Sequence, residues 1–424
     1  MTTARRLAAP LALSVALTAL PALAGDGLDA RIGEALFRRM WVTAPTVTHA
    51  NDGLGPLYNA RSCATCHPKG GGGRPPDPAA EGDQGVGYLV KLNGDPVYGR
   101  QIQTNAVLGQ TIEGRPRLRY REEAVRLPDG GTVRLRRPVL EIADLGYGPL
   151  AGATALSARV APPVHGMGLL ERIPEADILA GADPDDRNGD GVRGRPNRIT
   201  VDGVPQLGRF GWKATHPTLT RQDSEAFSLD IGMSTPAFPD PWGDCTEAQG
   251  DCRRGPHGSS PQYEGLEIPS TIIGLIDGYL RGLPPDGGLE PPKDAAGSAL
   301  FAATGCAACH RPSFTTAEDP AHPDLSRRRI FPFSDLLLHD LGPDLADGVP
   351  MGEARGQDWR TTPLWGLQRR AGGDGRLSLL HDGRARSVTE AILWHGGEAA
   401  GARSAFMALP AAERRHLARF VLGL

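Results

Sequence analysis

Two short runs in this 424-residue chain have residue types and spacing that do chemistry: "CATCH" at 63–67 and "CAACH" at 306–310. In a C-x-x-C-H run the two thiols add across the vinyl groups of a haem, and the adjacent imidazole reaches the iron from the same side. A redox dithiol does not require the histidine, and a zinc site wants further Cys or His partners nearby. The two runs therefore predict two covalently bound haem c groups. Cys63 and Cys66 would hold the first with His67 on its iron, and Cys306 and Cys309 the second with His310 on its iron.

A haem iron has a second axial position, so the next question is what fills it. In "LLHDGRARSVTEAILWHGG" (379–397), Ser387 and Glu390 have the spacing of a capping box and Gly396–Gly397 a stop signal. His395 then falls in the last turn of a short helix, where it suits the second position on the His310 haem; His381 and His339, in loop-like runs, compete. The first half of the chain carries a distant parallel. "RVAPPVHGMG" (159–168) matches "RTTPLWGLQ" (360–368), and "GWKATHPTLTRQDSEAF" (211–227) matches "LHDGRARSVTEAILWHG" (380–396). Trp212 falls on His381, Leu219 on Val388, and Ala226 on His395. Alanine cannot bind iron. The first haem is thus expected to keep an open position unless His165 or Met167 closes it, and an open iron binds small molecules where a six-coordinate one mostly passes electrons.

The remaining features set the context. Cys245 and Cys252 in "CTEAQGDC" predict a local disulfide. "DPDDRNGDGVRGRPN" (183–197) places Asp186, Asn188 and Asp190 at alternate positions, with Val192 offering a carbonyl, as at the start of a Ca2+ loop. Asn197 stands where a glutamate is usual, and a plain Asp/Gly surface turn is the alternative. Residues 1–24 have the basic start, apolar middle and small-residue end of a cleaved signal peptide, which predicts export to a periplasm, and no later segment is apolar enough to span a bilayer. With 46 Lys and Arg against 49 Asp and Glu, no nucleic-acid surface is indicated. The 56 Gly and 38 Pro imply many turns and long loops, while 40% apolar residues imply a folded core.

Along the chain, residues 25–284 and 285–424 each carry one haem run, and the turn signal "PDGG" beside "GTVRLRRPVLEI" predicts a small β-rich insertion at about 86–148.

Both haem runs, with "DGLGPLYNARSCATCH", "DPVYGRQIQ", "GRFGWKA" and "FSDLLLHDLGPDLADG", resemble the di-haem oxidoreductase branch, sometimes labelled "thiol oxidoreductase", of the bacterial di-haem cytochrome c peroxidase superfamily over nearly the whole mature chain. The thiol label has no support in these residues, because no unexplained cysteine pair remains. The resemblance implies a mainly α fold of two cytochrome c-like haem domains with a small β-rich insertion and long loops. It places Trp212 between the haems, Gln222 at the peroxidases' distal glutamine, and Asp230 nearest their catalytic glutamate. The peroxidases have methionine where this chain has His395, so the second haem would sit at a lower potential.

The expected activity is that of a peroxidase-type oxidoreductase. Peroxide or another small oxidant would meet the first haem, with Asp230 or Glu225 shuttling the proton and Gln222 orienting the oxygen. Electrons would pass from the second haem through Trp212, refilled by a small exported donor of cytochrome c or cupredoxin type. Two other classes compete: an electron carrier with both irons six-coordinate, and an oxidase of a partner protein or organic substrate.

Overall fold

Glycine and proline interrupt helices, and a chain rich in both builds short elements joined by turns. The computed structural model describes residues 25–370 and 377–424, so the leader read over 1–24 lies outside the described residues. The mainly α expectation is corrected here. Among the described residues only 29% are helical while 20% are in strands, the sheets are several and small, and nothing marks out two cytochrome c-like domains. Outside the predicted insertion the strands are short, as in Arg198–Val201 with Val204–Leu207 and Leu338–Asp340 with Asp358–Arg360, too short for an alternating pattern to announce.

The largest ladder is the hairpin of Arg115–Arg126 with Thr132–Ala143, in unbroken register from Arg115↔Ala143 to Arg126↔Thr132. Its Leu118 and Leu135 face the core, while most of its remaining side chains stay at least partly in solvent. Arginines tie it to the C-terminal part of the chain: Arg136 Nη2 donates to Arg384 O (3.1 Å) and Arg386 Nη2 to Arg134 O (2.8 Å). A second, three-stranded antiparallel sheet has Tyr88–Asp95 in the middle, between Gly99–Gln101 and Leu156–Val160.

Helix Gly25–Arg38 packs on helix Ser270–Gly282. Gly33 permits the close crossing: a Cβ there would lie 2.1 Å from Leu275 O. Leu36, Phe37, Ile273, Ile276 and Leu280 bury that interface. The largest apolar cluster runs from Tyr88 and Val90 through Trp212, Trp359 and Trp394 to Phe420 in helix Ala411–Leu422. Within it Phe301, Phe333 and Phe420 meet edge to face at 5.4–6.2 Å, geometry worth about 0.5–1.5 kcal/mol per pair beyond burial. Cys245 and Cys252 are joined in a disulfide beside Leu57. No helix among the described residues is long and apolar enough to cross a membrane.

Two adjoining histidine-lined clefts

Each C-x-x-C-H run lies at the wall of its own cleft. Cys63–Cys66 forms one helical turn, started by Ser62 Oγ, which accepts from Thr65 N at 3.2 Å, and His67 closes it as C-cap. Cys66 and His67 line a cleft of about 200 Å³, and Cys306, Cys309 and His310 line a neighbouring one of about 500 Å³. Burial pushes the Cys66 thiol up to about 12 and raises Cys63 and Cys306 as well. Such thiols stay protonated at neutral pH, unlike a reactive or metal-bound thiolate.

In the second cleft two imidazoles have their tautomers set by carbonyls. His310 Nδ1 lies 2.8 Å from Phe333 O, and His395 Nδ1 lies 2.7 Å from Ala391 O. A carbonyl only accepts, so each Nδ1 carries the proton and each Nε2 keeps its lone pair. Burial holds His310 down to about 4, offset in part by the Phe333 carbonyl and reinforced by His395, so the two rings are neutral neighbours. This donor set fits a haem with two histidine ligands. The rival histidines are engaged elsewhere. His339 is clamped between Glu398 (Nδ1 to Oε2, 2.8 Å) and Asp335 (Nε2 to Oδ2, 2.9 Å), and His381 stacks on Trp359 with centroids 3.8 Å apart. His395 is placed by helix Val388–Trp394, started by Ser387 Oγ accepting from Glu390 N at 3.1 Å.

The first cleft is built by the matching helix, Leu219–Ala226, which Thr218 Oγ1 starts in the same manner by accepting from Arg221 N. Leu219 and Val388 are the first residues of their helices, so Ala226 stands where His395 stands, and each lines its cleft. Here the helix does not stop. It runs into a π-turn, Phe227–Ile231, in which Gly232 N donates to Phe227 O. That turn brings Asp230 to the cleft wall. Asp230 Oδ1 accepts from Gln101 Nε2 at 2.8 Å, and burial raises its carboxyl against the pull of Lys91. Gln222 lines the same cleft with a buried Oε1 that has no partner among the described residues. Burial holds His67 to about 4, only partly offset by the backbone of Pro162 and Gly71, so it too is neutral and fits an iron ligand.

Trp212 lines both clefts, as do Arg360 and Thr362. Its loop closes tightly. Phe210 N donates to His216 O (3.0 Å) and Thr215 N to Phe210 O (2.9 Å), while a Cβ on Gly208 would meet Ala214 O at 1.8 Å. The indole is then fixed by Nε1 donating to Val160 O at 2.8 Å.

His165 and Met167 also border the first cleft, but both His165 nitrogens face carbonyls, Pro284 O at 3.0 Å and Lys69 O at 3.1 Å. The calcium-loop reading fares differently from its pattern. Asp186 Oδ1 accepts from Gly191 N, Asn188 Oδ1 from Asp190 N and Asp190 Oδ1 from Val192 N, all within the loop. Asn197 is buried and donates to Lys213 O (2.7 Å) and Met351 O (3.0 Å), so it braces the Trp212 loop. Among the described residues no group of three or more His, Cys, Asp and Glu side chains is placed to hold a metal ion.

Glu225, the alternative proton carrier of the sequence reading, lines the first cleft together with His216, Lys91 and Asp223, which sequence reasoning missed. Glu225 pairs with His216 (Oε2 to Nε2, 3.1 Å) and with Arg100 (3.2 Å). The missed groups have no local signature; they meet only through the fold.

A family model described as "Di-haem oxidoreductase, putative peroxidase" matches residues 100–424. No curated protein matches the chain. Among solved structures, Kuenenia stuttgartiensis hydrazine synthase pressurized with 20 bar xenon is 13% identical over 100% of both chains at a TM-score of 0.31, a likeness that carries no argument.

Proposed function

The chain belongs to the di-haem oxidoreductase family, and from that premise we infer that it is an exported peroxidase-type enzyme with two covalently attached haem c groups. Cys63, Cys66 and His67 would hold the first, and Cys306, Cys309, His310 and His395 the second. The groups supply an iron with an open position in the first cleft and a two-histidine iron as electron store in the second. One observation carries the reading: at one and the same helix position the second cleft has His395 and the first has Ala226.

The protein's own part follows from its walls. Gln222, with a buried oxygen awaiting a donor, orients a small hydrogen-bonding oxidant such as peroxide. Buried acid and base groups of the same wall, among them Asp230 with its carboxyl raised by burial, handle the proton inside the first cleft. Trp212 is the aromatic side chain among the residues that line both clefts, and it would relay electrons between them. Overall, peroxide takes two electrons from a small exported redox protein and two protons, and leaves as two waters.

EPR of the oxidised protein tests this directly. The expected result is one high-spin and one low-spin haem, with the high-spin signal changing when peroxide is added. Two low-spin signals inert to peroxide would leave an electron carrier instead.

A further inference from the structure

The group best built to move a proton in the first cleft is a histidine that the family resemblance does not point to. His216 is 5% exposed, lines the cleft beside Gln222 and Asp230, and is backed through Nε2 by Glu225 Oε2 at 3.1 Å. Its Nδ1 is buried without a partner among the described residues. A carboxylate on one ring nitrogen leaves the other as a base and stabilises the imidazolium that forms when it takes a proton. Glu225 is suited to that part. Burial would raise its carboxyl, but His216, Lys91 and Arg100 outweigh burial and hold it below the usual range, so it stays ionised. Arg100 is in turn paired with Asp244 at 3.1 Å. The other charged groups near the pair are Asp230, tied to Gln101, and Arg159, committed to Asp347 at 3.1 Å.

Resting on the reading of the first cleft as the peroxide site, we propose that His216 is its catalytic acid–base group, with Glu225 as the positioning residue behind it. As the O–O bond breaks, His216 Nδ1 takes the proton from one peroxide oxygen and hands it to the other, which leaves as water. The remaining oxygen receives two electrons from the exported donor protein and two protons from solvent, and leaves as the second water. Asp230 then serves as a hydrogen-bonding partner tied to Gln101, and the histidine carries the transfer.

The test compares wild type, His216→Leu, His216→Asn, Glu225→Gln and Asp230→Asn as di-haem proteins. The readouts are peroxide turnover and the C–O stretching frequency of carbon monoxide bound to the reduced protein. Removing a general acid–base group should cost about 100-fold or more in turnover. The C–O band should move in both His216 variants, by less in Glu225→Gln, and with the first haem still high-spin. His216→Asn keeps a polar side chain and serves if the leucine variant does not fold. An unmoved C–O band and intact turnover in the His216 variants, with both lost in Asp230→Asn, overturns the proposal but leaves the open cleft standing. A wild-type protein that binds no carbon monoxide overturns the open cleft itself. A switch of the first haem from low-spin to high-spin on removing His216 makes it a ligand and overturns its role as a base.

Discussion

Helices Leu219–Ala226 and Val388–Trp394 begin alike, each on a hydroxyl cap, and each delivers its eighth position to a cleft lined by a C-x-x-C-H histidine. What they deliver differs: a methyl group in one, an imidazole in the other. Behind the methyl the fold gathers groups that exchange protons: His216, Glu225, Asp230, Asp223 and Lys91. Around the imidazole it gathers a largely apolar wall with the buried His310 and His381, and His339 is tied up between Asp335 and Glu398. A polar wall that can move protons suits chemistry on a small substrate. A more apolar one with two neutral imidazoles suits storing an electron without bond making.

The comparison can be broken at its centre by exchanging the two residues. Ala226→His should close the first cleft, turn its haem low-spin and reduce peroxide turnover to background. His395→Ala should open the second, so that EPR shows its low-spin signal replaced by a high-spin one. Next in size is the wall between the clefts. Trp212→Phe loses the bond to Val160 O, a stability cost of about 1 kcal/mol, yet electron transfer between the haems should slow while peroxide binding is unchanged. Stopped-flow spectra of the two haems separate those effects.

Lys213, beside that tryptophan, is fully buried. Its ammonium meets Asp347 Oδ1 at 2.8 Å and the carbonyls of Val349 and Arg355 at 2.9 Å. Lys213→Met should cost about 3 kcal/mol in urea unfolding, the low end for a broken buried pair, because Arg159 still faces Asp347. A further effect, set by pH, concerns an acid behind the first cleft. Glu113 accepts from Gln103 N and Gln249 Nε2, and Gln103 in turn donates to Leu229 O in the π-turn. Burial pushes Glu113 from 4.5 up to about 8, against those two donors. A raised folded-state value stabilises fully below the unfolded one and is lost as pH climbs to about 8. Stability should therefore fall from pH 5 to 8, and the fall should be shallower in Glu113→Gln when unfolding is followed across that window.

What could be read from the chain was whatever is encoded locally. Both haem runs are complete within five consecutive residues, and the Ser387 cap and the Gly396 stop enclose His395 within ten. Ala226 stood out because the chain offers a second copy of its surroundings, and Trp212 because the family resemblance places it between the haems. The strands outside 86–148 escaped because they are short, as in Leu338–Asp340, or pair far back along the chain, as Val160 does with Tyr88. His216 and Lys91 escaped because only the fold brings their loop and strand to the helix end that carries Glu225. Asn197, which the 183–197 run left without a role, turns inward and donates to Lys213 O.

The widened turn at Phe227–Ile231 has a consequence for how this segment can change over generations. Its ring holds one residue more than an α-helical ring. Wound as an ordinary α-helix, the same residues would swing everything beyond by about 100° about the axis, one residue's share of a turn. Asp230 would leave the wall, and Gly232, whose carbonyl lies 2.1 Å from where a Cβ on Gly55 would be, has no room to follow. Substitutions in this stretch are tolerated only where they keep the wide ring.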